Sequence, residues 1–198
     1  MTAPLSSRTS GQWPFGGLVP GKYWAILADP PWQFTVRGHG GHGKSPEAHY
    51  ATMPGYALAH LPVARLAAPS ALLVLWATWP HLETALNVMR AWGFTYKTGG
   101  AWTKRTPAGK AAFGTGYILR SACEPFLVGT RGAPKTMDRS VRNLIESLEE
   151  ASVDAQRREH SRKPREMRAL IERLTAGPAC ELFGREPWPG HAVWGDEA

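Results

Sequence analysis

Tyr23-Trp24-Ala25-Ile26-Leu27-Ala28-Asp29-Pro30-Pro31-Trp32 joins a continuous apolar run to an acidic, proline-locked turn. An apolar run of this length, bounded by a turn, reads as a short strand buried on both faces, as in a parallel sheet. Proline cannot continue a hydrogen-bond ladder, fixes its own φ, and pushes the residue before it into extended geometry. The turn therefore presents one carboxylate, one flat aromatic and the Pro30 carbonyl at the carboxyl edge of a strand. In open α/β sheets that edge is where ligands bind.

The rest of the chain repeats the α/β theme. Residues 71–76 form a second continuous apolar run. Residues 80–92 place Leu82, Ala85, Leu86, Met89 and Trp92 on one helical face and stop at Gly93. Strands are expected at 94–97 and 101–103, so strand, helix and strand follow one another as a parallel βαβ unit. A short helical stretch is expected at 55–66 and a strand at 126–129, while 139–145 fits either a strand or a short helix. Lys163-Pro164 opens a further helix, with Pro at its first position and a stripe of Met167, Leu170, Ile171 and Leu174, ending at Gly177-Pro178. A last buried strand is read at 180–185.

The connecting segments are polar and basic. Residues 1–20 read as an irregular arm anchored by Trp13 and Phe15, ahead of a single domain over 21–198. Residues 33–47 combine four glycines with Arg37, His39, His42 and Lys44, a composition that builds no core and suits a mobile loop touching phosphate. His39, His42 and His49 lack a nearby Cys or a regular element to fix their geometry, so no metal site is assigned. Residues 103–116 are basic and longer than an ordinary connection, as expected of a substrate-facing loop. The charged segment 147–160 reads as an exposed helix or linker.

The 23 Lys and Arg against 16 Asp and Glu give a net charge of +7 over 198 residues. That balance favours a polyanionic partner such as nucleic acid. Two cysteines in unrelated contexts, Cys123 and Cys180, exclude a disulfide framework and suit a reducing compartment. With no apolar stretch of membrane-spanning length and no signal-peptide pattern, a soluble cytoplasmic protein is expected.

The turn at 29–32 suggests a chemistry. The exocyclic amine of adenine or cytosine is a poor nucleophile because its lone pair is delocalised into the ring. Two acceptors aimed at its N–H bonds, the Asp29 carboxylate and the Pro30 carbonyl, favour pyramidal geometry and expose that lone pair. Trp32 offers a face for an extruded base. Such charge-assisted hydrogen bonds strengthen as positive charge builds on nitrogen, so they favour the transition state, and no metal is required. On four residues alone, a proline-rich strand end whose Asp only caps is an equal reading.

Further blocks resolve that choice. His49-Tyr50-Ala51-Thr52-Met53, Leu73-Val74-Leu75-Trp76-Ala77-Thr78, Trp92-Gly93-Phe94, Gly114-Thr115-Gly116-Tyr117 with Glu124 and Leu127-Val128-Gly129, and His160-Ser161-Arg162-Lys163-Pro164 follow the turn in order. Ile171-Glu172, Glu181-Leu182-Phe183-Gly184-Arg185 and Trp194-Gly195 complete the set. Together with Asp29-Pro30-Pro31-Trp32 they resemble the adenine-N(6) methyltransferase family that contains the messenger-RNA adenosine methyltransferase catalytic subunit and many prokaryotic and phage relatives. The resemblance covers residues 22–197. The chain departs from the RNA enzyme after Arg185, where Glu186-Pro187-Trp188 stands for His-Asn, and residues 147–156 look like an insertion.

The resemblance implies a Rossmann-like S-adenosylmethionine-dependent methyltransferase fold, a mostly parallel sheet with helices on both faces, in permuted motif order. It places Asp29, Pro30, Pro31 and Trp32 in catalysis. Asp29, Lys163, Phe183, Gly184, Arg185, Asp196 and Glu197 fall at the cofactor, with Lys163 reaching its methionine carboxylate and the last two near its ribose. Trp32, Tyr50, Lys104, Arg105, Gly116 and Tyr117 fall on the nucleic-acid side. The implied reaction is methyl transfer to the 6-amino group of adenine, with DNA preferred because compact prokaryotic and phage members resemble this chain most. An RNA adenosine methyltransferase and a catalytically inactive binding member are the alternatives. A cytosine 4-amino target is disfavoured, since turns of that type usually begin with Ser or Asn. A homo-oligomer is compatible with the sequence.

Overall fold

The computed structural model describes residues 13–33, 52–106, 108–114, 116–148 and 163–195. The Gly/His loop with Tyr50, His39, His42 and His49, most of the charged segment 147–160, and Asp196 and Glu197 therefore lie outside the described residues. Strands β1 (Tyr23–Ala28), β2 (Ala67–Trp76), β3 (Thr95–Arg105), β4 (Glu124–Arg131), β5 (Leu144–Leu148), β6 (Ala179–Leu182) and β7 (Ala192–Trp194) form one sheet, ordered β5-β3-β4-β2-β1-β6-β7. Helices α1 (Gly55–Ala59), α2 (Leu82–Ala91) and α3 (Glu166–Leu174) cover it.

Alternation along the central strands explains the layering. Ile26 and Ala28 of β1 and Leu73 and Leu75 of β2 share one core with Leu58 of α1 and Ala85, Val88 and Met89 of α2. Ala25, Leu27, Leu72, Val74 and Trp76 point the other way and meet Met167 and Ile171 of α3. Both faces are covered, which is why β1 and β2 read as unbroken apolar runs rather than alternating ones. Trp13 and Phe15 anchor the start of the described chain: Phe15 is fully buried and meets Trp194 edge-on with ring centroids 5.1 Å apart.

Pairing is parallel everywhere except at β4, which runs antiparallel to both β2 and β3. The expected unit of strand, helix and strand is present, with β2 and β3 in the same direction, but β4 lies between them. The two strands expected at 94–97 and 101–103 are one strand. Gly99 and Gly100 do not break it; they let neighbours come close. A Cβ on Gly100 would lie 2.1 Å from the Asn143 carbonyl oxygen and 2.3 Å from Phe126 Cζ. Gly100→Ala is therefore expected to cost about 1–3 kcal/mol of stability by overpacking, measured by urea denaturation; an unchanged midpoint would contradict the close approach.

Residues 139–145, undecided between helix and strand, contribute the start of β5. The stretch expected to be helical at 55–66 splits into α1 and a 3-10 turn at Val63–Arg65. Pro164 was expected at the first helical position, but α3 begins at Glu166, and the Pro164 carbonyl accepts from Met167 N–H at 3.1 Å. Lys163 is thus left outside the helix, where its side chain turns toward the sheet. The ends of β1, β2, β3, β6 and β7 and the start of β4 all reach the same edge, because Ala28 pairs with Leu75 and Leu182, Trp76 with Phe126, Trp102 with Glu124, and Leu182 with Trp194.

Candidate active site

Asp29 leaves the sheet just after β1, tethered by its own N–H to the Leu182 carbonyl at 3.3 Å. The prolines that follow force the chain into a tight turn, closed by Trp32 N–H donating to the Pro30 carbonyl at 2.8 Å. Pro31 accepts from Met53 N–H at 2.8 Å, so the turn is also pinned from the far side of the loop. One lone pair of the Pro30 carbonyl is thereby used within the turn, leaving the second for a ligand.

Trp32 is placed differently from expectation. The ring is 5% exposed, donates from Nε1 to the Trp76 carbonyl at 3.1 Å, and stacks on His81 with centroids 6.0 Å apart and planes 17° apart. His81 is itself bound to Thr78 Oγ1 and the Gln33 carbonyl, each at 2.8 Å. The face expected for an extruded base is enclosed, and the indole braces the turn.

Lys163 organises the charges. Its Nζ lies 3.2 Å from Asp29 Oδ1 and 3.2 Å from Glu124 Oε2, and 5.5 Å from the centroid of the Trp76 ring. Two of its three N–H bonds are therefore engaged by carboxylates. Burial would pull this ammonium down, yet Asp29 and Glu124 outweigh it and hold the group above its ordinary range. Asp29 is raised: loss of solvation dominates, Lys163 opposes it, and the charge of Glu124 adds to it. One cation thus sits between two carboxylates in a poorly solvated corner.

A cleft opens beside this cluster, lined by Asp29, Lys163, Met167, Phe183, Arg185 and Glu186 among others. Phe183 has φ 64°, the left-handed region that a bulky side chain rarely occupies, at a cost of about 1–3 kcal/mol. The strain sits at the end of β6, next to Asp29. Gly184 follows, buried, its N–H bonded to the Trp194 carbonyl at 3.1 Å. Beneath them Glu181 is bound by Arg168 through Nε at 2.7 Å and a terminal nitrogen at 2.6 Å. Arg168 also donates to the carbonyls of Glu186 and Pro187, each at 3.0 Å. It clamps the segment after Arg185 onto α3.

The expected site residues thus divide. Asp29, Pro30, Lys163, Phe183, Gly184 and Arg185 come together. Lys104 and Arg105 lie on the last residues of β3: Lys104 Nζ is 4.4 Å from the Trp102 ring centroid, and Arg105 Nε donates to Glu146 Oε1 at 3.0 Å. Gly116 and Tyr117 sit exposed in the loop between β3 and β4. The resemblance puts Glu181 on the strand nearest the cofactor but gives it no partner, and the sequence places neither Glu124 nor Arg168 in the site. A Glu inside the apolar strand Ala-Cys-Glu-Leu was the available signal for the buried pair.

The profile of the MT-A70 family matches residues 23–197. The chain is 31% identical over 170 residues to the N(6)-adenosine-methyltransferase MT-A70-like protein of Drosophila melanogaster, covering 84% of this chain and 25% of that protein. It is 28% identical over 170 residues to the human N(6)-adenosine-methyltransferase catalytic subunit METTL3, with 84% and 26% covered. Against the Type II methyltransferase M.MunI of Mycoplasma sp the identity is 29% over 203 aligned positions, covering 92% of this chain and 81% of the relative. The chain spans about a quarter of the length of the N(6)-adenosine-methyltransferases it matches and most of the length of M.MunI. A match that runs from the first residue of β1 past the last strand takes in every element that builds the acidic edge, and the chain belongs to the MT-A70 family.

Proposed function

We propose that the chain is an S-adenosylmethionine-dependent methyltransferase that modifies the 6-amino group of adenine in DNA. The observation that carries this reading is the position of Asp29: a carboxylate on a rigid turn, one oxygen held by Lys163 and the other without a partner among the described residues, beside a cleft of mixed charge. The cofactor's amino-acid head is a zwitterion and its adenosine is flat. Cations at Lys163 and Arg185, carboxylates at Asp29 and Glu186, and apolar surface from Met167 and Phe183 fit both parts. When bound, S-adenosylmethionine supplies an electrophilic methyl group on a sulfonium.

The chain's own residues do the rest. Lys163 holds Asp29 in place and keeps one N–H for the methionine carboxylate. Arg185 adds a second cation, and Asp196 and Glu197 are assigned to the ribose, where Asp can only accept. Asp29 and the remaining Pro30 lone pair accept the two N–H bonds of the target amine, lowering its conjugation with the ring and stabilising the charge that develops on nitrogen. Trp32 keeps the turn rigid from below, and Tyr50 is assigned to the base side. Lys104 and Arg105, at the end of β3, supply positive charge for phosphates. DNA is chosen because a relative matched over 81% of its own length is a Type II methyltransferase.

Asp29 must be ionised to accept the amine. The rate should rise with pH through a limb lying above the ordinary aspartate range. Glu124→Gln removes a negative neighbour and moves that limb to lower pH; Lys163→Met removes the opposing cation and moves it higher. Coincident limbs in the three proteins would exclude the coupling. The function itself is tested by mass spectrometry of nucleosides from host DNA and RNA after expression. N6-methyladenine in DNA is expected. Its appearance in RNA alone would reassign the substrate, and tight nucleic-acid binding with no modified nucleoside would leave only a binding role.

A further inference from the structure

The loop between β3 and β4 rises from the same sheet edge as Asp29, and its far end is apolar. Ile118 is 97% exposed, Leu119 82%, Tyr117 72% and Phe113 64%. Solitary exposed apolar residues are ordinary; four within seven positions, beside an active-site edge, are not. The presentation is built. The Gly114 N–H donates to the Ser121 carbonyl at 2.8 Å and closes the neck of the loop. Thr103 Oγ1 donates to the Ala122 carbonyl at 2.9 Å, and Trp79 Nε1 to the Cys123 carbonyl at 3.2 Å, tying that neck to the sheet. Within the turn a Cβ on Gly116 would lie 1.9 Å from the Leu119 carbonyl oxygen, so only glycine permits this bend.

The surrounding charge selects the partner. Residues 103–123 contain Lys104, Arg105, Lys110 and Arg120 and no Asp or Glu; Glu146 offsets Arg105, so the segment's net positive charge comes from Lys104, Lys110 and Arg120. Arg120 lies over the Phe113 ring at 5.3 Å. A second copy of this chain would bring the same positive charge to the contact, whereas a polyanion complements it. Distance also fits. Leu119 is five residues from Glu124, hence within about 18 Å of it along an extended chain, and Glu124 shares Lys163 with Asp29. Duplex DNA rises about 3.4 Å per base pair, so about five or six base pairs of one bound duplex span both features.

We infer that Ile118 and Leu119 form an apolar wedge that enters a DNA duplex beside the target adenine and occupies the stack as the base is extruded. The inference rests on the reading of Asp29 as the acceptor of an adenine amine. An enzyme that works on a ring amine must take the base out of the helix, and apolar side chains inserted at a base step compensate for lost stacking. Among the described residues of this edge, Ile118 and Leu119 are the most exposed apolar side chains, whereas Trp32 is enclosed.

The test compares the wild-type protein with I118A/L119A on three oligonucleotides: a matched duplex, a duplex mismatched at the target adenine, and the single strand. Both side chains are exposed, so the variant is expected to melt with the wild type. The ratio of duplex to single-strand methylation should fall roughly tenfold or more in the variant and recover on the mismatch, where the base is already loosened. A second readout, independent of transfer, is the fluorescence of 2-aminopurine at the target position, which should brighten with wild-type protein and not with the variant. Equal loss on all three substrates, or no loss, would overturn the wedge. So would a sedimentation shift from dimer to monomer in the variant, which would make the loop an interface between copies. Brightening by the wild type without methylation of any substrate would instead sink the methyltransferase reading and leave the wedge standing.

Discussion

Asp29→Asn is expected to lower methyl transfer about 10²–10³-fold, the range found when a preorganised polar group aimed at developing charge is removed. The substitution keeps the shape of the side chain and the turn around it, whose hydrogen bonds run through backbone atoms of Asp29, Pro30, Pro31 and Trp32. What changes is charge. The amide presents at most one weak acceptor to the target amine, and Lys163 keeps only Glu124 as a carboxylate partner. Cofactor titration by calorimetry should weaken far less than turnover, because Lys163, Arg185 and Glu186 remain in the cleft. A variant that turned over normally would remove Asp29 from the chemistry. A variant with lost cofactor binding and normal single-turnover rate at saturation would make Asp29 a binding residue only.

Arg168→Met is expected to destabilise the protein by about 3 kcal/mol, the low end of what breaking a buried pair costs. Arg168 and Glu181 have side chains only 17% and 12% exposed. Removing the guanidinium strands the Glu181 carboxylate and also frees the Glu186 and Pro187 carbonyls. The effect should depend on pH with a definite sign. Burial already pushes Glu181 above the ordinary carboxylate range, and Arg168 pulls it down. Without Arg168 the carboxyl rises further. A group raised in the folded state contributes stability at low pH that is lost as pH rises through its folded value. The deficit of the variant relative to wild type should therefore be largest near neutral pH and shrink on acidification. R168M/E181L should recover much of the loss. A deficit that is flat with pH, or unrelieved in the double variant, would mean that the pair is not the cause.

The turn was legible because its parts are contiguous: an apolar strand, an acid, two prolines and an aromatic. The stripes of α2 and α3 were legible for the same reason, with Ala85, Met89 and Trp92 and then Met167 and Ile171 buried as their spacing indicates. What could not be read locally was direction and partnership. Nothing in residues 126–129 says that they run antiparallel between β2 and β3, because pairing direction is set by connections and neighbours rather than by the strand's own apolar pattern. Lys163 was assigned to the cofactor alone, whereas its contacts with Asp29 and Glu124 join residues separated by 134 and 39 positions, as only the folded sheet can. The aromatic of the turn was recognised, but a sequence does not show which face of a ring meets solvent. In Trp32 the ring is taken up by His81 and the core.

The proposed presentation of an adenine 6-amino group by Asp29 to a methyl donor can be tested directly. The most direct measurement incubates purified protein with duplex DNA and S-adenosylmethionine carrying a deuterated methyl group, followed by digestion and mass spectrometry of the nucleosides. Label on N6 of deoxyadenosine with the wild type, and its loss with D29N, is the predicted result. Label on the 4-amino group of deoxycytidine, or equal label on adenine with D29N, would contradict it.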